Sequence, residues 1–135
     1  MMESELLPEF TGFFANAREQ RLAFPHCRGC GRFHWYPMPR CPHCRGGDIE
    51  WRPIAATGEI FSFTHVRHPF DPSRAQDLPY VVALIVFAEA PGVRLITNIV
   101  EGDGDAVRIG QPVAPVFSTG KDGRPVVNFR ITKAT

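Results

Sequence analysis

The sequence predicts a mainly β chain with a single short helix at its start, and three observations carry that prediction. Helical periodicity appears once, before residue 21. Four cysteines then fall as two C-x2-C pairs within eighteen residues, and from Thr57 onward apolar residues recur in strand-like runs broken by turns. With 135 residues, 44% of them apolar, and a net charge of +1, the chain can bury one full core with a small module beside it. The expected divisions are 1–21 for the helix, 22–53 for the cysteine module and 54–135 for the β domain.

In the first division, Phe10, Phe13, Phe14 and Ala17 stand at i, i+3, i+4 and i+7, on one face of a helix predicted from Pro8 to Gln20. Three phenylalanines on so short a helix need cover. This chain's own core can supply it, or another subunit's groove can, which makes Phe10, Phe13 and Phe14 candidate partner contacts. The opening M-M-E-S-E-L-L-P-E-F is acidic and lacks the basic and apolar regions of a secretory signal, so a cytoplasmic location is expected. The longest apolar run, Tyr80 to Ala88, has nine residues, far fewer than the ~20 of a membrane-spanning helix, and no membrane segment is predicted.

The second division is organised by Cys27, Cys30, Cys41 and Cys44, the chain's only cysteines. A two-residue spacer lets a tight knuckle turn both sulfurs of a pair toward one ion, so each pair supplies half of a tetrahedral cage suited to Zn²⁺. Gly31 follows the first pair and suits a positive φ, and Gly46-Gly47 gives similar freedom after the second. A disulfide framework fits a cytoplasmic chain poorly. Iron in the same four-sulfur cage is the rival metal, because the geometry suits both. Four thiolates leave no open coordination position, so the site reads as structural. So small a module cannot bury a core of its own, and the ion takes that part.

Strands are expected at Leu22 to Phe24 and Ile49 to Pro53, entering and leaving the knuckles. Between them lie Phe33, His34, Trp35 and Tyr36 and the stiff Pro37-Met38-Pro39. Seven arginines stand between residues 18 and 52 against three acids, while eight bases balance eight acids beyond. The caged ion with four thiolates carries about −2, which several of those arginines offset. His26, His34 and His43 lie close to the cysteines and read as surrounding groups and not as ligands.

The third division reads as five strands: Gly58 to His68, Tyr80 to Phe87, Arg94 to Val100, Val113 to Phe117 and Val126 to Ile131. Pro91-Gly92 and Asp122-Gly123 mark turns. Five strands, the first long and bent, suggest a small closed barrel of the OB-fold type. The whole architecture is then an N-terminal amphipathic helix, a zinc ribbon and a five-stranded OB-fold barrel. Glu101 to Gly110, where an OB-fold often carries a helix, reads as a solvated turn, and the loop Pro69 to Pro79 is expected to be ordered by its prolines.

The order of these motifs, C-x2-C-G, P-x-P-R, C-P-x-C, T-G-x-I-F-S-F-T, P-Y-V-V-A-L and I-G-Q-P-V, resembles the DUF35 family over about Phe10 to Ile131. The resemblance implies a rubredoxin-like zinc ribbon joined to an acyl-CoA-associated OB-fold. It also implies a non-catalytic partner of thiolase-like enzymes, or of hydratases or retro-aldolases, that helps form a CoA-thioester binding surface. By that analogy the four cysteines hold Zn²⁺. If acyl-CoA is contacted, Arg32, Arg40 and Trp35 are the candidate ligand-binding residues. Trp35-Tyr36-Pro37-Met38-Pro39 replaces the Phe-Pro-Pro-Arg stretch of many relatives.

No catalytic set stands out. His65, His68 and Asp71 read as a polar strand end, Ser62 and His65 face opposite ways on a strand, and neither a nucleophile elbow nor a phosphate loop is present. The chain is therefore expected not to be an enzyme. Two alternatives stand beside the accessory subunit. Arginines among aromatics on a ribbon and an OB-fold also make a single-stranded nucleic-acid platform, against which the neutral β domain argues. A four-sulfur iron site would instead serve electron transfer.

Overall fold

The computed structural model describes residues 8–55, 57–68, 80–102 and 104–132. The acidic lead through Leu7, the loop Pro69 to Pro79 with Asp71, and Asp103 lie outside the described residues. A turn of 3₁₀-helix, Pro8–Phe10, leads into α1, Thr11–Arg18. Two strands, β1 (Leu22–Cys27) and β2 (Ile49–Ile54), pair antiparallel from Leu22 opposite Ile54 to Cys27 opposite Ile49. Then come β3 (Gly58–Val66), β4 (Tyr80–Val86), β5 (Arg94–Ile99), β6 (Pro112–Thr119) and β7 (Pro125–Ile131).

These last five close a barrel in the order β3-β4-β5-β7-β6, as the strand pattern predicts for an OB-fold. Two joints make the closure. Gly58 pairs with Val113, reinforced where Ile60 N–H donates to Gln111 O at 3.0 Å and Gly110 N–H to Ile60 O at 2.8 Å. On the other side β5 meets β7 in parallel at Ile99 and Phe129, and Thr97 Oγ1 donates to Val127 O at 2.9 Å. β3 bends at a register shift between Ile60 and Ser62, which lets one long strand serve both neighbours.

Burial alternates along β4, with Val81, Ala83 and Ile85 inside and Val82 and Leu84 half-exposed. An unbroken apolar run is thus a one-faced strand here. Ile60, Ile85, Val113 and Phe129 fill the interior. The connector Glu101 to Gly110 is more than the expected solvated turn. It forms a 3₁₀ turn, Gly104–Ala106, and drives Val107 into the core at 1% exposure, where a β-branched side chain loses its contact with water. Among the described residues no helix is long and apolar enough to cross a membrane.

The helix finds its cover within this chain. Phe13, Phe14 and Ala17 are buried, and Phe24 on β1 carries the aromatic stack onward through Phe87 to Phe129 at centroid separations of 5.1 and 6.0 Å. Aromatic pairs in such edge or tilted arrangements contribute about 0.5–1.5 kcal/mol each beyond burial. Phe13 and Phe14 thus pack in this chain's own core, one of the two expected roles. Only Phe10 stays partly exposed, and it packs on Trp35 at 5.4 Å and Tyr36 at 5.0 Å. Tyr36 Oη in turn donates to Glu9 Oε2 at 2.5 Å, and this bond holds the Glu9 carboxyl below its ordinary range.

Helix and ribbon meet at Gly12. A Cβ built there would collide with the Trp51 indole, so only glycine lets α1 approach β2. Alanine is intrinsically better in a helix by about 1 kcal/mol, yet overpacking costs about 1–3 kcal/mol. Gly12→Ala is expected to lower stability in denaturant unfolding. A gain would show that the contact is not tight.

Candidate metal centre and the adjoining cleft

β1 delivers Cys27 at its last residue, and the chain turns at once. Gly31 N–H donates to Cys27 O at 2.8 Å and Cys27 N–H to Arg32 O at 2.9 Å. The second knuckle repeats this bond for bond, with Arg45 N–H to Cys41 O at 2.8 Å and Cys41 N–H to Gly46 O at 2.8 Å. Both knuckles need a left-handed residue after the second cysteine. Gly31 takes it in the first with φ 77°, as its position predicts. In the second it is Arg45, φ 67°, and not Gly46 or Gly47. Those two glycines give the chain its exit, and the strained position belongs to the residue before them.

The four Sγ atoms lie within 4.8 Å of one another, with Cys27 3.6 Å from Cys44 and Cys30 3.6 Å from Cys41. Disulfide sulfurs stand about 2.05 Å apart, so these are four free thiols. Sulfurs bound at about 2.3 Å around a tetrahedral ion stand about 3.8 Å apart, and this donor set fits Zn²⁺. Two amides already point at the sulfurs, His43 N–H at Cys41 Sγ (3.3 Å) and Gly46 N–H at Cys44 Sγ (3.4 Å). Burial raises the Cys41 thiol, but the Cys44 and His43 backbone and the Cys30 and Cys44 sulfurs outweigh it and bring it down to about 6. Desolvation of its sulfur pushes Cys30 up to about 11. Cys41 thus ionises more readily than Cys30.

The three neighbouring histidines have other partners. His26 Nδ1 donates to Glu50 Oε2 at 2.9 Å, beside Arg28 and Arg52, and its ring packs on Phe33. His43 Nε2–H donates to Phe33 O at 3.3 Å, leaving Nδ1 to accept from Arg32 Nη1 at 3.5 Å. His34 is only 4% exposed and neither ring nitrogen has a hydrogen-bond partner among the described residues; the Met38 backbone lies close without bonding geometry. Burial therefore holds His34 below the ordinary histidine range, as a neutral ring.

A cleft of about 520 Å³ opens between the ribbon and the β4–β5 turn, walled by Phe33, His34, Trp35 and His43, with Arg32 beside them and Pro91-Gly92 across. Of the expected ligand residues, Arg32 and Trp35 meet there. Arg40 does not line it and donates instead to Arg45 O at 3.1 Å, tying down the second knuckle. Trp35 is also half-buried among Phe10, Phe13 and Phe24. Pro91-Gly92 was legible only as a turn, since its place opposite residue 32 is set by the fold. His65, considered for catalysis, bonds through Nε2 to Gly104 O at 3.0 Å.

The model of the rubredoxin-like zinc ribbon domain of ChsH2 matches residues 14–50, and that of the ChsH2 C-terminal OB-fold domain matches residues 51–118. The chain is also 32% identical over 115 residues to a DUF35 domain-containing scaffold protein of Methanothermobacter thermautotrophicus, covering 81% of this chain and 84% of that one. The chain belongs to the DUF35 family. It is also 39% identical over 103 residues to a probable enoyl-CoA hydratase alpha subunit of Thermomonospora curvata. That match covers 75% of this chain and 30% of the relative, so the chain spans under a third of that protein. It is 25% identical over 122 residues to the benzoylsuccinyl-CoA thiolase subunit BbsA of Thauera aromatica, over 88% of this chain and 81% of that one. Among solved structures a chain of the Ltp2-ChsH2(DUF35) aldolase superposes with a TM-score of 0.79 at 34% identity, covering 90% of this chain and 93% of that one.

The two knuckles make a matched test. Alanine at Gly31 takes on the left-handed strain, about 1–2 kcal/mol. Glycine at Arg45 removes it, against an entropic loss of about 0.5–1 kcal/mol. Gly31→Ala is expected to destabilise the ribbon and Arg45→Gly to leave it unchanged or raise its stability by up to about 1 kcal/mol in thermal unfolding. Equal losses at both positions would contradict the φ assignment.

Proposed function

We propose that the chain is a non-catalytic accessory subunit that binds a thiolase-like, acyl-CoA-processing enzyme and helps form or stabilise its CoA-thioester site. The observation that carries this reading is the shared architecture over nine-tenths of the chain with the DUF35 component of an aldolase. Relatives described as a thiolase subunit and a scaffold protein support the same role. Cys27, Cys30, Cys41 and Cys44 would hold Zn²⁺, which supplies rigidity, since four thiolates leave it no position for substrate. The reacting groups would then belong to the partner enzyme. The ribbon is the unit that carries the cleft walls, and Arg32 at the cleft is the candidate contact for a CoA phosphate, with Trp35 beside it.

The surface that oligonucleotides use on OB-folds argues for protein over nucleic acid. The outward residues of β4 and β5 include Val82, Leu84 and Ile96, the last 69% exposed, where a nucleic-acid platform needs stacking aromatics and bases. Phe61 is the exposed aromatic on the neighbouring strand, and Arg94 covers it at 4.4 Å.

Tagged chain drawn from its native extract is expected to bring down a CoA-thioester enzyme, identified by mass spectrometry, whose turnover rises on adding the pure chain. Recovery alone, with no such enzyme stimulated, would overturn the reading. Within the complex, Arg32→Glu is expected to weaken acyl-CoA retention about tenfold, the effect of roughly 1.4 kcal/mol, with metal content unchanged. Unaltered retention would remove Arg32 from the site.

A further inference from the structure

Two sulfur–sulfur contacts in the thiol cluster have hydrogen-bonding geometry, and both run across it. Cys27 Sγ lies 3.6 Å from Cys44 Sγ and Cys30 Sγ lies 3.6 Å from Cys41 Sγ, so each contact joins one knuckle to the other. Each also joins an exposed cysteine to a buried one, Cys44 to Cys27 and Cys30 to Cys41. An oxidant arriving from solvent reaches one sulfur of each pair, and the buried partner is already beside it.

We propose that this cluster is a peroxide-responsive modification site in which hydrogen peroxide oxidises Cys30 and Cys44, and Cys41 and Cys27 resolve them as two cross-knuckle disulfides. In the zinc-loaded cage all four sulfurs are thiolates, and in each half the exposed one attacks a peroxide oxygen, the O–O bond breaks, and a sulfenic acid and hydroxide form. The buried thiolate then attacks the sulfenic sulfur and expels a second hydroxide as the S–S bond closes. For the loaded cage the balance is [Zn(SR)₄]²⁻ + 2 H₂O₂ + 4 H⁺ → Zn²⁺ + 2 RSSR + 4 H₂O. Sulfur is oxidised, peroxide is reduced, and zinc leaves with its charge unchanged. Further oxidation of one sulfur to the sulfinic acid needs a second peroxide, which must compete with a thiol at contact distance.

Pairing across the knuckles has a consequence that pairing within them lacks. Bonds Cys27–Cys44 and Cys30–Cys41 staple the two turns together as the ion does, and Cys27 keeps its place at the end of β1. The released zinc depends on the metal reading above, and the choice of sulfur partners depends on the contacts that the folded knuckles hold.

The test is a peroxide titration of the full, reduced, zinc-loaded chain, with a chromogenic chelator reading released zinc and mass spectrometry reading the disulfides. The expected result is about two peroxides consumed per zinc, bonds Cys27–Cys44 and Cys30–Cys41, and zinc rebinding after reduction. Cleavage after Arg40 and Arg45 leaves Cys41 and Cys44 on one peptide, which cross-knuckle bonds tie to the Cys27 and Cys30 peptides. Fragmentation between Cys41 and Cys44 then assigns each bond. Cys41–Cys44 or Cys27–Cys30 bonds, a Cys27–Cys41 pairing, sulfinic acid without disulfide, or cysteines left unmodified in excess peroxide would each overturn the proposal. Zinc is quantified before peroxide is added, so a preparation that holds none counts against the metal reading, and wrong disulfides in a zinc-loaded preparation count against the pairing.

Discussion

Convergence of four sulfurs at the end of β1 is the constraint on which the rest of the ribbon depends. From Arg28 to Asp48 the chain has no regular strand or helix, and its backbone bonds close the two knuckles and little more. A hydrophobic core does not hold this stretch, because most of its residues are exposed and Cys41, His34 and Pro37 are its buried points. A bound metal contributes about 10–16 kcal/mol to such modules, comparable to the whole stability of a domain at about 5–15 kcal/mol. The position of Arg32, Phe33 and His43 at the cleft would follow from that one coordination event.

The ribbon is anchored to the barrel through aromatic packing and not through the metal. β1 continues from the first knuckle into Phe24 and Leu22, which lie fully in the core, and Phe24 touches both Trp35 and Phe87. α1 closes the arrangement by laying Phe13 and Phe14 on the same cluster and Gly12 against Trp51. The metal would shape the arm, and the phenylalanines set the angle at which the barrel carries it. An accessory subunit suits this division, since its product is a surface held in a fixed place.

Much of this was legible in the residues, and what was not has a physical cause. Cysteine spacing specifies a local cage because knuckle geometry is short-range, and the Phe10, Phe13, Phe14 and Ala17 stripe specifies a helix face for the same reason. Which surface covers that stripe is a long-range matter, and it proved to be β1 and the barrel. Tyr80 to Phe87 is apolar at every position, so its side chains carry no record of which face is inside. The left-handed residue of the second knuckle is Arg45, which carries no sequence signal because the ordinary choice there is glycine. The cleft was unreadable because Pro91 and Arg32 are brought together only by the barrel and the ribbon at once.

The most direct measurement is amide hydrogen exchange on the purified chain, with its metal quantified, before and after a strong chelator. The account predicts one zinc per chain, loss of protection across the knuckles on chelation, and retained protection in β4 and β5. A chain without zinc, or a ribbon that stays protected once its metal is gone, would contradict it.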